Sequence, residues 1–342
     1  MKFNKILSKA LWLLIPISFA YSLISYIRNV LFDLKIFNQK KYDVKIIGIG
    51  NLSTGGTGKS VLVDYLVKFL VKHSKISVLS RGYNRKSKGI YEANKDSNFN
   101  QIGDEPMMLY SKHKNLRVVV AESRIKGMDY MIKTSDTESI YLLDDAFQHR
   151  SIFTGLSILL TTYRNPFFKD FILPYGNLRE NKKGYKRANI IIVTKCPINM
   201  SLDQKSYFIN KIKPKIDQKI FFSSIKYSDT IINKNETLPI KELEKEEFLL
   251  VSGIADSYHL RNHLKYLKFD YFDFSDHHNY SKNDLNKILD KSNGKLILTT
   301  EKDYVKLSVL IKSKSLFYIP IDFIFEKKEK KDFEKTVINY VS

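Results

Sequence analysis

The sequence predicts an α/β protein of two units, the first carrying a P-loop NTPase-like sheet and the second smaller, with a membrane-associated helix ahead of them. Three observations predict it. Short continuous apolar runs recur with helical stretches between them, as strands buried on both faces do. Residues 44–60 read VKIIGIGNLSTGGTGKS, a β-branched run ending in a glycine-rich turn. From Ala10 to Ile27 the chain has no charged residue.

In chain order the uncharged stretch comes first. It contains Trp12, Leu13, Leu14, Ile15, Phe19, Tyr21 and Tyr26, with Lys2, Lys5 and Lys9 before it and Arg28 after. Its 18 residues reach about 27 Å as a helix, short of a hydrocarbon core of about 30 Å. Pro16 and three serines further weaken a spanning reading. Aromatics beside flanking cations suit a helix lying in the lipid interface. The rivals are a buried helix and a signal peptide cleaved near Ser18-Phe19-Ala20. Export, however, would strand a nucleotide-binding loop where there is no ATP.

The glycine-rich turn comes next. Several consecutive backbone N–H groups must point inward at a phosphate, and side chains would obstruct them. Lys59 is placed to reach the β- and γ-phosphates, and Ser60 to ligate Mg²⁺ at the start of a helix continued by Val63, Leu66, Val67 and Leu70. Ser53 stands where this loop usually has its first glycine; Gly55, Gly56 and Gly58 carry the turn.

Strands are expected at Val44–Ile49, Ile76–Leu79, Leu116–Val120, Ile140–Leu143, Leu156–Leu160 and Ile190–Val193. Ligands of such a sheet lie at the carboxyl ends of its strands. A lysine-rich polar stretch from Ile212 to Glu247 marks the boundary between units, so the expected division is 1–35 for the membrane helix, 36–225 for the P-loop domain and 226–342 for the smaller one. Strands at Phe248–Val251, Tyr271–Phe274, Leu296–Thr299 and Leu316–Ile319 build the latter, and Ser281 with Asp284 opens a helix between two of them.

Lysine and arginine outnumber acidic residues to give a net charge of +21, spread along the chain, which suits a phosphate-rich or anionic partner. The single cysteine, Cys196, excludes an intrachain disulfide.

Asp144-Asp145 closes an apolar strand, as the Mg²⁺-holding acid of a Walker B element does. Gln148, His149 and Arg150 follow at once. Phosphoryl transfer to an alcohol needs a carboxylate near the incoming hydroxyl. In Gly103-Asp104-Glu105-Pro106, Asp104 suits that task and equally a helix cap. Asp276-His277-His278 lacks the partners of a zinc site, and a histidine there can instead set the protonation of a nearby carboxylate. Arg179 can neutralise transferring phosphate charge and Glu180 can reach the metal, or the two form a surface ion pair.

These segments together resemble the tetraacyldisaccharide 4'-kinases of bacterial lipid A synthesis. The resemblance rests on GNLSTGGTGKS at 50–60, SRGY at 80–83, GDEP at 103–106, LDDAFQHR at 143–150, LPYGNLRE at 173–180, SGIADSY at 252–258, DHHNY at 276–280 and TEKD at 300–303. Their order covers nearly the whole chain. Ala146, Asn177 and Ser60 replace the glycine, proline and threonine common in the family, and none removes a required side chain. The resemblance implies two α/β/α domains with ATP between them. It implies ATP- and Mg²⁺-dependent phosphorylation of the 4'-hydroxyl of an acylated glucosamine disaccharide 1-phosphate, at the cytoplasmic face of the inner membrane. Carried over to this chain, it makes Asp104 the base, assisted by His277 in preference to His278. Ser53, Thr54, Gly55, Gly56, Thr57, Gly58 and Lys59 cradle phosphate, Ser60, Asp145 and Glu180 surround Mg²⁺, and Arg124, Asp144, Gln148, His149 and Arg179 line the site. The expected partners are the lipid substrate and the membrane surface, without nucleic acid, for a monomer. Two other classes compete: a metallochaperone-type GTPase switch, which needs an N-K-x-D that Thr194-Lys195-Cys196-Pro197 does not supply, and a non-enzymatic membrane adaptor.

Overall fold

The computed structural model describes residues 11–135, 139–311 and 313–342. The basic residues Lys2, Lys5 and Lys9 lie outside this range. The chain forms two compact units, one of residues 1–79, 123–224 and 324–342, the other of 80–122 and 225–323. This differs from a contiguous division at two segments: 80–122 groups with the second unit, and the C-terminal helix with the first.

In the first unit, helix α1 (Ile15–Asp33) precedes a parallel sheet. Its strands are β1 (Ile46–Asn51), β2 (Lys75–Ser80), β3 (Ser139–Leu143), β4 (Leu156–Thr162), β5 (Ile190–Thr194) and β6 (Lys219–Tyr227), ordered β6-β5-β4-β1-β3-β2. Every residue of β1, β3 and β5 is buried, as the unbroken apolar runs require. Helix α2 (Lys59–Leu70) follows β1, with Leu62, Val63, Leu66, Val67 and Leu70 inward at helical spacing. The C-terminal helix α9 (Lys327–Val341) returns to this sheet. Its Tyr340 hydroxyl donates to Ile46 O at 2.9 Å and accepts from Ile46 N at 3.0 Å.

The second unit has a mixed sheet of β7 (Thr230–Ile232), β8 (Thr237–Pro239), β9 (Phe248–Ser252), β10 (Phe269–Asp273), β11 (Ile297–Thr300) and β12 (Leu316–Ile319). Their order is β8-β7-β12-β11-β9-β10, and only the pairings of β7 are antiparallel. The polar stretch expected as a linker therefore contains β6, β7 and β8. Phe221, Phe222, Ser223 and Ser224 of β6 are buried beneath the lysines that gave it a linker's composition. Helix α3 (Asp104–Lys112) packs on α8 (Glu301–Leu310), which seats the 80–122 excursion on this unit.

Helix α1 is long and apolar enough, by length and composition, to cross a membrane. Trp12, Ile17, Phe19, Ile24 and Tyr26 are all exposed. Its polar side chains hold it to the first unit. Tyr175 N donates to Ser18 Oγ, the Tyr21 hydroxyl to Arg179 O, Arg28 to Gln148 O and Asn29 Nδ2 to Glu180 Oε2, at 2.9, 3.0, 3.2 and 2.8 Å.

Candidate active site

In the first unit the site grows from the carboxyl ends of β1 and β3. Gly55 (φ 98°) and Gly58 (φ 88°) turn the loop, and Gly58 is the left-handed N-cap of α2, a conformation side chains resist. Lys59 and Ser60 are the first two residues of the helix. The loop is braced from two sides. Thr194 Oγ1, at the end of β5, donates to Thr57 O at 2.8 Å, and Thr54 N donates to Asn177 O at 2.8 Å. Ser53 is buried and bridges Leu178.

Asp145 follows β3 with φ 48°, an uncommon conformation for a non-glycine residue, held by the Ala146 N–H donating to Ile49 O at 2.9 Å. Arg179 grips its carboxylate with two bonds, of 2.9 and 2.8 Å, and Lys59 Nζ stands 3.5 Å from Oδ1. Burial raises the Asp145 pKa, but the Arg179 hydrogen bond with the charges of Lys59, Arg179 and Arg124 overrides it, so the carboxyl lies well below the usual carboxylate range. Arg124, buried at the start of α4 (Arg124–Lys133), donates to Asp144 O at 2.9 Å. Gln148 bridges Asn51 O and Glu180 Oε1, at 2.9 and 3.0 Å. His149 lies in the same turn, its N–H donating to Ala146 O.

Glu180 is fully buried, and its oxygens accept from Asn29, Gln148 and both terminal nitrogens of Arg187. It anchors the loop that presents Arg179. Asn51 was not legible as a site residue. Its carboxamide donates to Thr57 Oγ1 at 2.9 Å and accepts from Lys59 Nζ at 3.3 Å and from Arg179. A polar residue ending an otherwise apolar strand just before the loop is the signal that could have found it.

In the second unit Asp104 begins α3. Gly103, with φ 91°, supplies the N-cap, and a Cβ there would stand 2.9 Å from Tyr83 O. Only glycine lets the Ser80–Tyr83 turn approach this closely. The Asp104 side chain is nearly inaccessible. Its carboxylate accepts from Glu105 N at 2.9 Å and from His277 Nδ1 at 2.9 Å to Oδ2. His277 has φ 56°, and its ring packs edge-on to Tyr83. The neighbouring His278 ring instead bonds Asp284 at 3.1 Å, so His277 is the histidine that meets the carboxylate. Burial raises the Asp104 pKa, yet the His277 hydrogen bond and charge, with Lys302 and Lys306, bring it far below its ordinary value. Burial lowers that of His277, and Asp104 more than reverses this. Lys306, which the sequence reading did not single out, is also buried against Asp104. A lysine one helical turn after Asp303 on an inward helix face is the signal that could have found it.

Among the described residues no three His, Cys, Asp or Glu side chains converge as a metal cluster. One carboxylate and one hydroxyl beside a phosphate loop are nonetheless the protein donors that Mg²⁺ takes when phosphate oxygens and water complete its shell. Asp145 and Ser60 fit that description.

A sequence model of the family described as "LpxK: Tetraacyldisaccharide-1-P 4'-kinase" matches residues 10–341. The chain is 43% identical over 332 residues to a tetraacyldisaccharide 4'-kinase of Flavobacterium psychrophilum and 40% identical over 329 residues to that of Flavobacterium johnsoniae, with 96% of each chain covered. The crystal structure of an "apo" form of LpxK from Aquifex aeolicus in complex with ATP superposes with a TM-score of 0.76 at 29% identity, covering 97% of this chain and 99% of that one.

Proposed function

This chain belongs to the LpxK family of tetraacyldisaccharide-1-P 4'-kinases, and from that premise we propose that it transfers the γ-phosphate of ATP to the 4'-hydroxyl of a tetraacylated glucosamine disaccharide 1-phosphate in lipid A biosynthesis. The observation that carries this reading is the pairing of chemistries. A glycine loop with Lys59 and Arg179 serves a triphosphate, and a buried carboxylate bonded to an imidazole serves an alcohol.

Phosphoryl transfer depends on positioning and charge stabilisation more than on covalent participation by the protein. The loop N–H groups and Lys59 bind and orient the phosphates, and Arg179 exchanges its grip on Asp145 for phosphate oxygens as charge shifts to the leaving group. Ser60 and Asp145 would hold Mg²⁺, which would supply neutralisation of phosphate charge, and Glu180 would support the site from behind its own donors. Asp104 takes the proton of the 4'-hydroxyl, and His277 fixes the carboxylate's orientation and shares the proton load.

The enzyme works at the cytoplasmic face of the inner membrane, where an insoluble lipid can be reached, a reading that the exposed apolar residues of α1 support. The GTPase reading is disfavoured by its missing guanine motif and by the placement of Thr194 and Cys196, both buried, Thr194 in a bond that braces the phosphate loop. Incubating the purified protein with labelled ATP and the defined disaccharide tests the function. Label appears in the lipid if the reading holds, and nucleotide turnover with unlabelled lipid refutes it.

A further inference from the structure

Lys306 is 2% exposed, a degree of burial that lysine seldom tolerates without anionic partners. Its Nζ donates to His278 O at 2.9 Å and lies 3.3 Å from Asp104 Oδ2 and 3.8 Å from Asp303 Oδ1. The Tyr280 ring closes the remaining side, its centroid 5.5 Å away. Asp303 is itself fixed, its Oδ2 accepting from Gly253 N at 2.8 Å and from the Thr300 hydroxyl at 2.7 Å. Gly253 O in turn accepts from His277 N at 3.3 Å. One ammonium thus ties α8, the 276–280 loop and the Asp104 carboxylate into a single buried network.

The charged groups facing Asp104 are His277 on the loop after β10 and Lys302 and Lys306 on α8, and His277 in turn faces Glu105 and Asp276. Lys302 is committed to Asp276 at 2.7 Å, and His277 bears charge only when protonated. Lys306 is the second cation in direct contact with the carboxylate, at 3.3 Å from Oδ2. A buried carboxylate whose sole close counter-ion were an imidazole would lose that partner whenever the imidazole gave up its proton.

We infer that Lys306 is a positioning residue for phosphoryl transfer, its ammonium holding Asp104 oriented and ionised through both protonation states of His277. The inference rests on Asp104 being the base. Asp104 is then ionised and ready to accept the hydroxyl proton in either protonation state of His277.

The test is the pH profile of kcat/KM for the parent, Lys306→Met, Lys306→Arg, His277→Ala and Asp104→Asn, with folding followed by circular dichroism. With Lys306→Met the acidic limb moves up by about one pH unit or more, because a contacting opposite charge shifts a carboxylate by about 1 to 3 units. Lys306→Arg keeps the limb where the parent has it. A Lys306→Met limb that stays in place while Asp104→Asn is inactive overturns the inference alone. Undiminished turnover by Asp104→Asn removes the base reading, and the inference with it. Should Lys306→Met not fold, carboxyl ¹³C NMR of Asp104 in His277→Ala decides. Titration below the ordinary aspartate value of about 3.9 upholds the role of Lys306, and titration at or above it overturns it.

Discussion

Each unit centres on an aspartate held by two cations, and the two arrangements differ in what can replace the cations. Asp145 leaves 37% of its side chain exposed, and its partners Lys59 and Arg179 extend from the helix start behind the glycine loop and from the loop after Asn177. Asp104 leaves 6%, and of its partners Lys306 leaves 3% while His277 leaves 17%. A phosphate can displace the first pair's salt bridges, because it offers those cations the same kind of charge. The other carboxylates near these cations are already bonded: Asp303, beside Lys306, to Gly253 and Thr300, and Asp276, 3.8 Å from His277 Nε2, to Lys302. Exchangeable pairing suits a group that recruits substrate charge, and permanent pairing suits one that must be ionised and in place when the hydroxyl arrives. Positive φ recurs at the acid of one unit and the histidine of the other, Asp145 and His277, where local strain is tolerated to aim a side chain.

The comparison breaks most visibly in kinetics. Asp104→Asn is expected to lower kcat about 10²- to 10⁴-fold while equilibrium ATP binding persists, since the base acts only in transfer. An equal loss of ATP affinity would erase the distinction between the two aspartates. Lys59→Ala should lower kcat/KM for ATP by about 10²- to 10³-fold, with weakened nucleotide binding, because one charged contact to developing charge disappears. Filter binding and initial rates separate the two patterns.

Stability sharpens the contrast further. Gly103→Ala forces a side chain into a left-handed conformation against Tyr83 O, at a cost of about 1 to 3 kcal/mol in denaturant unfolding. A smaller effect is expected from pH. The pKa of His277 is raised by folding, so its stabilising contribution is complete below about 6.5 and is lost as pH rises through the raised value. That of Asp104 is lowered, so its contribution is present above about 3.9 and is lost as pH falls through the depressed value. The Tm advantage of the parent over His277→Gln should therefore be greatest in mildly acidic solution and shrink in alkali. A difference that grows with pH would contradict the pairing.

How far the sequence revealed these features follows from which forces are local. The strands buried on both faces announced themselves as unbroken apolar runs, and the glycine loop as a backbone requirement written in residue type. Asp104 and Asp145 stood out through their motifs. Strand β6 did not, because its flanking lysines masked a buried Phe221-Phe222-Ser223-Ser224 centre. Asn51, Arg187 and Lys306 acquire their roles from partners between 6 and 202 residues away, such as Glu180 for Arg187 and Asp104 for Lys306, and single-residue chemistry carries no record of such pairing. The excursion of residues 80–122 into the second unit was equally hidden, since the packing of α3 on α8 is a long-range event.

As a member of its family, this chain phosphorylates a sugar hydroxyl of an acylated disaccharide. Phosphorus NMR of the lipid recovered after incubation with ATP and Mg²⁺ tests it most directly. A new phosphomonoester resonance coupled to the proton at the 4' position, absent with Asp104→Asn, is the result expected. A lipid that keeps only its 1-phosphate while ATP is consumed would contradict the claim.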